Sequence, residues 1–115
     1  MKLQLVGKQM EITEYMNQLA DKKISKLDKL LVDFADDAKF ARVVFGKDPN
    51  LGYRIKVEVV LPQKTLFAQR KGKELEGVLI DAVDSVETQI RKLKDELSHR
   101  SEFEEVASRK RAIPK

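Results

Sequence analysis

The chain has no cysteine and no tryptophan, and only one histidine, three prolines and five glycines in 115 residues. Without cysteine there is neither a disulfide framework nor a thiolate metal site, which fits a reducing compartment. The lone histidine, His99, lies in the C-terminal tail, which leaves a Ser-His-Asp centre without a well-placed base and a Cys-His centre without its nucleophile as well. Gly72 and Gly77 stand apart and form no phosphate-cradling loop. Asp33, Asp36 and Asp37 form an acidic cluster, but the glycine and spacing of a calcium loop are missing, so they read as a solvated connection. No apolar run approaches the roughly 18 residues of a membrane span. Met1-Lys2-Leu3-Gln4-Leu5 goes straight into alternation, without the apolar core of a signal peptide. These absences point away from an enzyme, a bound cofactor or metal, a small-molecule substrate and a membrane location. They describe a soluble, cytoplasmic chain.

What is present is charge laid out by periodicity. Apolar residues make up 42% and charged residues 37%, with a formal net charge of +4. The length suits one domain, which would bury about two-thirds of the unfolded surface. Between residues 16 and 31, at about 100° per residue, Met16, Ala20, Ile24, Leu27 and Leu31 gather on one helix face. Lys22, Lys26 and Lys29 gather nearly opposite. Asp21 and Asp28 can pair with some of these lysines, yet a line at i, i+4 and i+7 without an interleaved acid exceeds what solubility asks. Ile90-Arg91-Lys92-Leu93-Lys94 repeats the arrangement, with Arg91 and Lys94 projecting away from an apolar stripe. Cations near a helix C-terminus also favour its dipole, so this second cluster gains meaning only beside the first. Two such rows across a groove suit the phosphates of structured RNA. Tyr53 is expected to face the core, and no exposed aromatic pair is evident that would stack single-stranded bases.

The elements follow in the order β-α-β-β-β-α. Residues 2–6 alternate as a short strand ending at Gly7, and Thr13 occupies an N-cap position ahead of a helix over 14–32. A second strand covers 40–45, and the turn-forming stretch 46–52 leads to a third over 53–61, where Tyr53, Ile55, Val57, Val59 and Leu61 alternate with polar positions. A fourth covers 66–70. The last helix is expected from Lys73 or Glu74 to Leu97, burying Leu75, Leu79, Ala82, Val86, Ile90, Leu93 and Leu97. The pattern predicts an α+β two-layer sandwich: a four-stranded sheet with two helices on one face, strands one and two parallel, the rest antiparallel. Residues 1–97 form the domain, and 98–115 read as a basic, flexible tail.

Gly7-Lys8-Gln9-Met10-Glu11-Ile12-Thr13, the lysine-rich run from Lys22 to Lys29, and Gln89-Ile90-Arg91-Lys92-Leu93-Lys94-Asp95 resemble the ribosome hibernation promoting factors and ribosome-associated inhibitor proteins, over roughly residues 1–97. The resemblance implies a fold like a double-stranded-RNA-binding domain, docked on the small ribosomal subunit where messenger and transfer RNA would sit. It implies RNA contacts from Lys22, Lys23, Lys26, Lys29, Arg91, Lys92 and Lys94. Its mechanism would be steric: the bound domain blocks translation and protects an idle ribosome in starvation or stationary phase. The isolated chain is expected to be a monomer. The last helix departs from the family pattern at Glu74-Leu75-Glu76-Gly77-Val78-Leu79-Ile80, which lacks a tyrosine and a second aspartate common there. The alternative is a protein-interaction module that modulates a transcription (sigma) factor through the open sheet face or the first helix.

Overall fold

Alternating apolar and polar residues require one sheet face to be covered, and two amphipathic helices supply the cover. The computed structural model describes the backbone of residues 1–50 and 52–109, and the side chains of residues 1–50 and 52–97. Four strands, β1 (Lys2–Lys8), β2 (Phe40–Asp48), β3 (Gly52–Leu61) and β4 (Lys64–Gly72), form one sheet in the order β1-β2-β3-β4. β1 runs parallel to β2, and the other pairs are antiparallel. The 31-residue connection from β1 to β2 contains a helix, as a parallel crossover requires. The α+β architecture expected from the sequence is therefore the one observed. Each strand extends beyond its expected limits, because backbone pairing continues past the last clear alternation: Lys8 pairs with Gly46, and Tyr53 with Gly72.

Helix α1 (Glu14–Leu30) starts at Thr13, whose hydroxyl accepts from the Met16 N–H at 3.1 Å. The Met16 sulfur accepts in turn from the Thr13 N–H at 3.5 Å, completing a capping box with a thioether in place of the usual carboxylate. Gly7 lies under this entry turn, where an added Cβ would stand 2.2 Å from the Met10 carbonyl oxygen, so only glycine fits. At its other end α1 stops at Leu30, and a single 3-10 turn (Asp36–Ala38) leads into β2. The Met1 amine lies against Asp36 and holds its carboxyl below the ordinary carboxylate range by hydrogen bonding and charge.

The core lies between the sheet and both helices. Met16, Leu19, Ala20, Ile24, Leu27 and Leu31 meet Val78, Leu79, Ala82, Val83, Val86 and Ile90 over a floor that includes Val43, Phe45, Ile55, Val57 and Val59. Full burial of each large member contributes about 1.5–3 kcal/mol. Every residue of the expected α1 stripe is buried. On α2 (Leu75–Arg109) the middle of the expected stripe is buried, whereas Leu75 and Leu93 are only partly covered and Leu97 is exposed. Tyr53 is half-buried.

The α2 backbone continues twelve residues past the expected end at Leu97. Nothing in the sequence stops it there, since neither glycine nor proline occurs between Val78 and Ile113. Residues 98–109 are thus helical in backbone, while Lys110 and Arg111 fall outside the described residues.

Candidate nucleic-acid interface

The two helices run side by side in the same direction, as three contacts along their seam show. Tyr15 donates to Glu76 at 3.2 Å near both N-termini, Lys26 lies 3.9 Å from Glu87 midway, and Lys94 donates to the Leu30 carbonyl oxygen at 2.8 Å where α1 ends. The N-terminal halves of the pair carry carboxylates and no cation, whereas all seven cations, with Asp28, Glu87, Asp95 and Glu96 among them, lie from Lys22 and Glu87 onward. At the acidic end the carboxylate of Glu76 holds the Tyr15 phenol above its usual range, because losing the proton would break the hydrogen bond and set two negative charges together.

Midway along the pair Glu87 links the two predicted rows through Lys26 and Arg91. One of its oxygens faces Lys26, and the other accepts from Arg91 at 2.8 Å. Among the described residues, Lys22, Lys29 and Lys92 are exposed and Lys23 half-buried, and none of the four has an ion-pair partner. Their charge is available to an anion. Leu30, Arg91, Lys92, Lys94 and Asp95 line an open hollow of about 600 Å³ beside the α1 terminus.

Lys94 plays a part that the sequence did not show. Its ammonium is half-buried on the Leu30 carbonyl, and Lys39, with its side chain 5% exposed, donates to the next carbonyl, Leu31, at 3.0 Å and to Asp28 at 2.9 Å. Two lysines from different elements thus satisfy the free carbonyls that end α1 and complement the negative end of its dipole. Lys39 had no periodic signature, since its role depends on where β2 begins in space.

Over α1 and the part of α2 up to Leu97, nine carboxylates outnumber seven cations, so the basic character of this layer is local to one end. Among the described residues no group of histidines or carboxylates is placed to hold a metal ion, and the Asp33, Asp36 and Asp37 stretch forms no such cluster. His99 lies outside the residues with described side chains. Among the described residues, no helix is long and apolar enough to cross a membrane.

The opposite face of the sheet carries aromatics that the sequence reading did not bring forward. Phe67 is 56% exposed and Phe40 half-buried, and each has a cation over its ring: Lys56 at 5.2 Å from the Phe67 centroid, Arg42 at 5.6 Å from that of Phe40. Strand parity was the available signal, because Leu66 and Ala68 point inward and Phe67 must then point out.

This layered geometry can be set beside known proteins. Residues 3–98 match the family described as Sigma 54 modulation protein / S30EA ribosomal protein. The chain belongs to this family. Among solved structures, the Sigma 54 modulation / S30EA fold is shared with the crystal structure of the Thermus thermophilus Protein Y N-terminal domain, at 26% identity and a TM-score of 0.69. That alignment covers 81% of this chain and 99% of the domain. A ribosomal subunit interface protein from Coxiella burnetii has the same fold at 22% identity and a TM-score of 0.65, over 83% of this chain and 99% of that one.

Proposed function

We propose that this chain is a non-catalytic ribosome-binding factor that docks on small-subunit ribosomal RNA through the basic end of its helix pair. There it blocks the messenger and transfer RNA sites and holds the ribosome inactive under stress or in stationary phase. What supports this reading is that Glu87 links Lys26 of one helix to Arg91 of the other and Lys94 reaches the end of α1, in a chain of the S30EA family whose Lys22, Lys23, Lys29 and Lys92 lie on the same two helices. Cations on a rigid helical scaffold contact phosphates by position and need no particular base sequence. Work in the cytoplasm, on a large RNA surface, needs no cofactor and no catalytic group.

Each phosphate contact removed by competing salt weakens binding by about 0.7–0.9 log units per tenfold salt. With the four unpaired lysines as contacts, cosedimentation with small subunits should weaken by about fiftyfold to a hundredfold or more between roughly 50 and 200 mM salt. An affinity that hardly changes over this range would contradict the reading. The family description also names sigma 54 modulation, which supports a second reading as a transcription-factor module. Capture of a polymerase component from nuclease-treated lysate, with no binding to ribosomes, would favour it.

A further inference from the structure

The sheet register brings side chains from four strands into rows on the uncovered face. Lys2, Phe40, Val60 and Thr65 form the first row, and Gln4, Arg42, Glu58 and Phe67 the second. Val6, Val44, Lys56 and Gln69 form the third, and Lys8, Gly46, Arg54 and Lys71 the fourth. Six of these sixteen positions are cations and one is a carboxylate, Glu58, which lies 3.7 Å from Arg42; Asp48, the next position of β2 on this face, adds a second carboxylate. This is a far stronger excess of one sign than the helix layer holds.

The face also has relief. Val44 and Gly46 floor an open trough of about 690 Å³ whose rim includes Lys8, Lys47, Arg54 and Lys56. Asp48 accepts from Arg54 at 2.9 Å and steadies that rim. One row from Lys56, about 6–7 Å along the strands, the Phe67 ring stands out of the sheet. Its backbone is fixed, because the Gln89 side-chain amide of α2 donates to the Phe67 carbonyl oxygen at 2.8 Å on the outer edge of β4.

From this arrangement we propose that the open sheet face is a second nucleic-acid site, one that binds single-stranded RNA. Phe67 stacks on a base, and Lys8, Lys56 and Lys71 meet the adjoining phosphates. The chemistry selects the ligand. A duplex keeps the faces of its bases inside the stack and cannot offer one to an exposed ring, whereas a single strand can. A second copy of this chain, set face to face, would oppose cation to cation. The lysine over Phe67 is a solvated side chain that a base can displace, leaving its ammonium free to follow the phosphate. Gln4 and Gln69 add amides within the same rows that can pair with a 2′-hydroxyl, the group that marks RNA. This site is separate from the helix-pair surface and stands whether or not that surface binds ribosomes.

The test is fluorescence anisotropy of a labelled twelve-nucleotide oligouridylate with the full chain. An RNA duplex and the matching DNA strand serve as competitors. Phe67→Ala should weaken binding about tenfold, while Phe67→Tyr, which keeps the ring, should restore it. Lys8→Gln with Lys71→Gln should lower the salt slope by about 0.7 for each contact removed. Lys22→Glu with Lys29→Glu, on the helix side, should leave most of the affinity in place. Binding unaffected by Phe67→Ala would overturn the proposal, as would competition by the duplex or by DNA as strong as that by the single-stranded RNA. No binding by the wild-type chain, with self-association by sedimentation instead, would assign the face to a second copy and equally overturn it.

Discussion

The helix layer and the open sheet face both present cations, but they hold them differently. On the helices, Lys26 and Arg91 share Glu87, and Lys94 is spent on the end of α1, so the charge left over comes from Lys22, Lys23, Lys29 and Lys92. On the sheet two carboxylates, Glu58 beside Arg42 and Asp48 beside Arg54, stand among six cations, and two of these cations lie over aromatic rings. A basic sequence stripe is thus no measure of free charge, because a helix places its own carboxylates within reach at i+4. A sheet gathers its face from residues far apart in the chain, and there the register decides the sign.

The two faces of the sheet can be separated first by stability. Phe45 is fully buried and Phe67 mostly exposed, so the same change to alanine should have different costs. Phe45→Ala should lower unfolding free energy by about 3–5 kcal/mol, and Phe67→Ala by less than about 1 kcal/mol, in paired urea titrations. Equal losses would show that the open face is not open. Next in size is the α1 terminus. Lys39→Ala leaves the Leu31 carbonyl without its buried donor and should cost about 1–3 kcal/mol, whereas Lys22→Ala, on a solvated lysine, should stay within about 0.5 kcal/mol. A neutral Lys39→Ala would remove the capping role from the account.

A gain is expected at Gly77, where an added methyl meets nothing within 4 Å inside a helix. Gly77→Ala should stabilise by up to about 1 kcal/mol, seen as a rise of a few degrees in Tm. The smallest effect lies at the acidic end of the helix pair. The Tyr15 phenol must keep its proton to donate to Glu76, and its folded-state pKa is raised. Its contribution is present below the ordinary tyrosine range and lost as pH rises through the folded value. Tyr15→Phe should therefore lower Tm slightly at neutral pH and flatten the alkaline limb of a Tm-against-pH curve. An identical alkaline limb in the variant would show that the bond adds nothing.

Sequence periodicity carried most of the fold. The α1 stripe and the alternation of β3 are local patterns, and they bury the residues that their period selects, except Tyr53 at the start of β3, which is half-buried. The end of α2 was misplaced because fading amphipathicity at Ser98 does not break a helix when no glycine or proline follows at once. For the candidate surface, the lysines of α1 were visible because one helix places them all. What Lys94 and Lys39 do at the end of α1 could not be read, since their acceptors are carbonyls on another element. The sheet face was hidden for a related reason: Lys8, Arg54 and Lys71 lie on three strands, and only the register makes them neighbours.

The central claim is that the helix pair, through its basic end, holds the chain on the ribosome. Its most direct test is sucrose-gradient sedimentation of small subunits at low salt with wild-type chain, with Lys22→Glu/Lys26→Glu/Lys29→Glu, and with Lys8→Glu/Lys71→Glu. The account predicts that the wild type comigrates with the subunit, that the helix variant stays at the top of the gradient while still folded, and that the sheet variant keeps most of its binding. A folded helix variant that comigrates as fully as the wild type would contradict it.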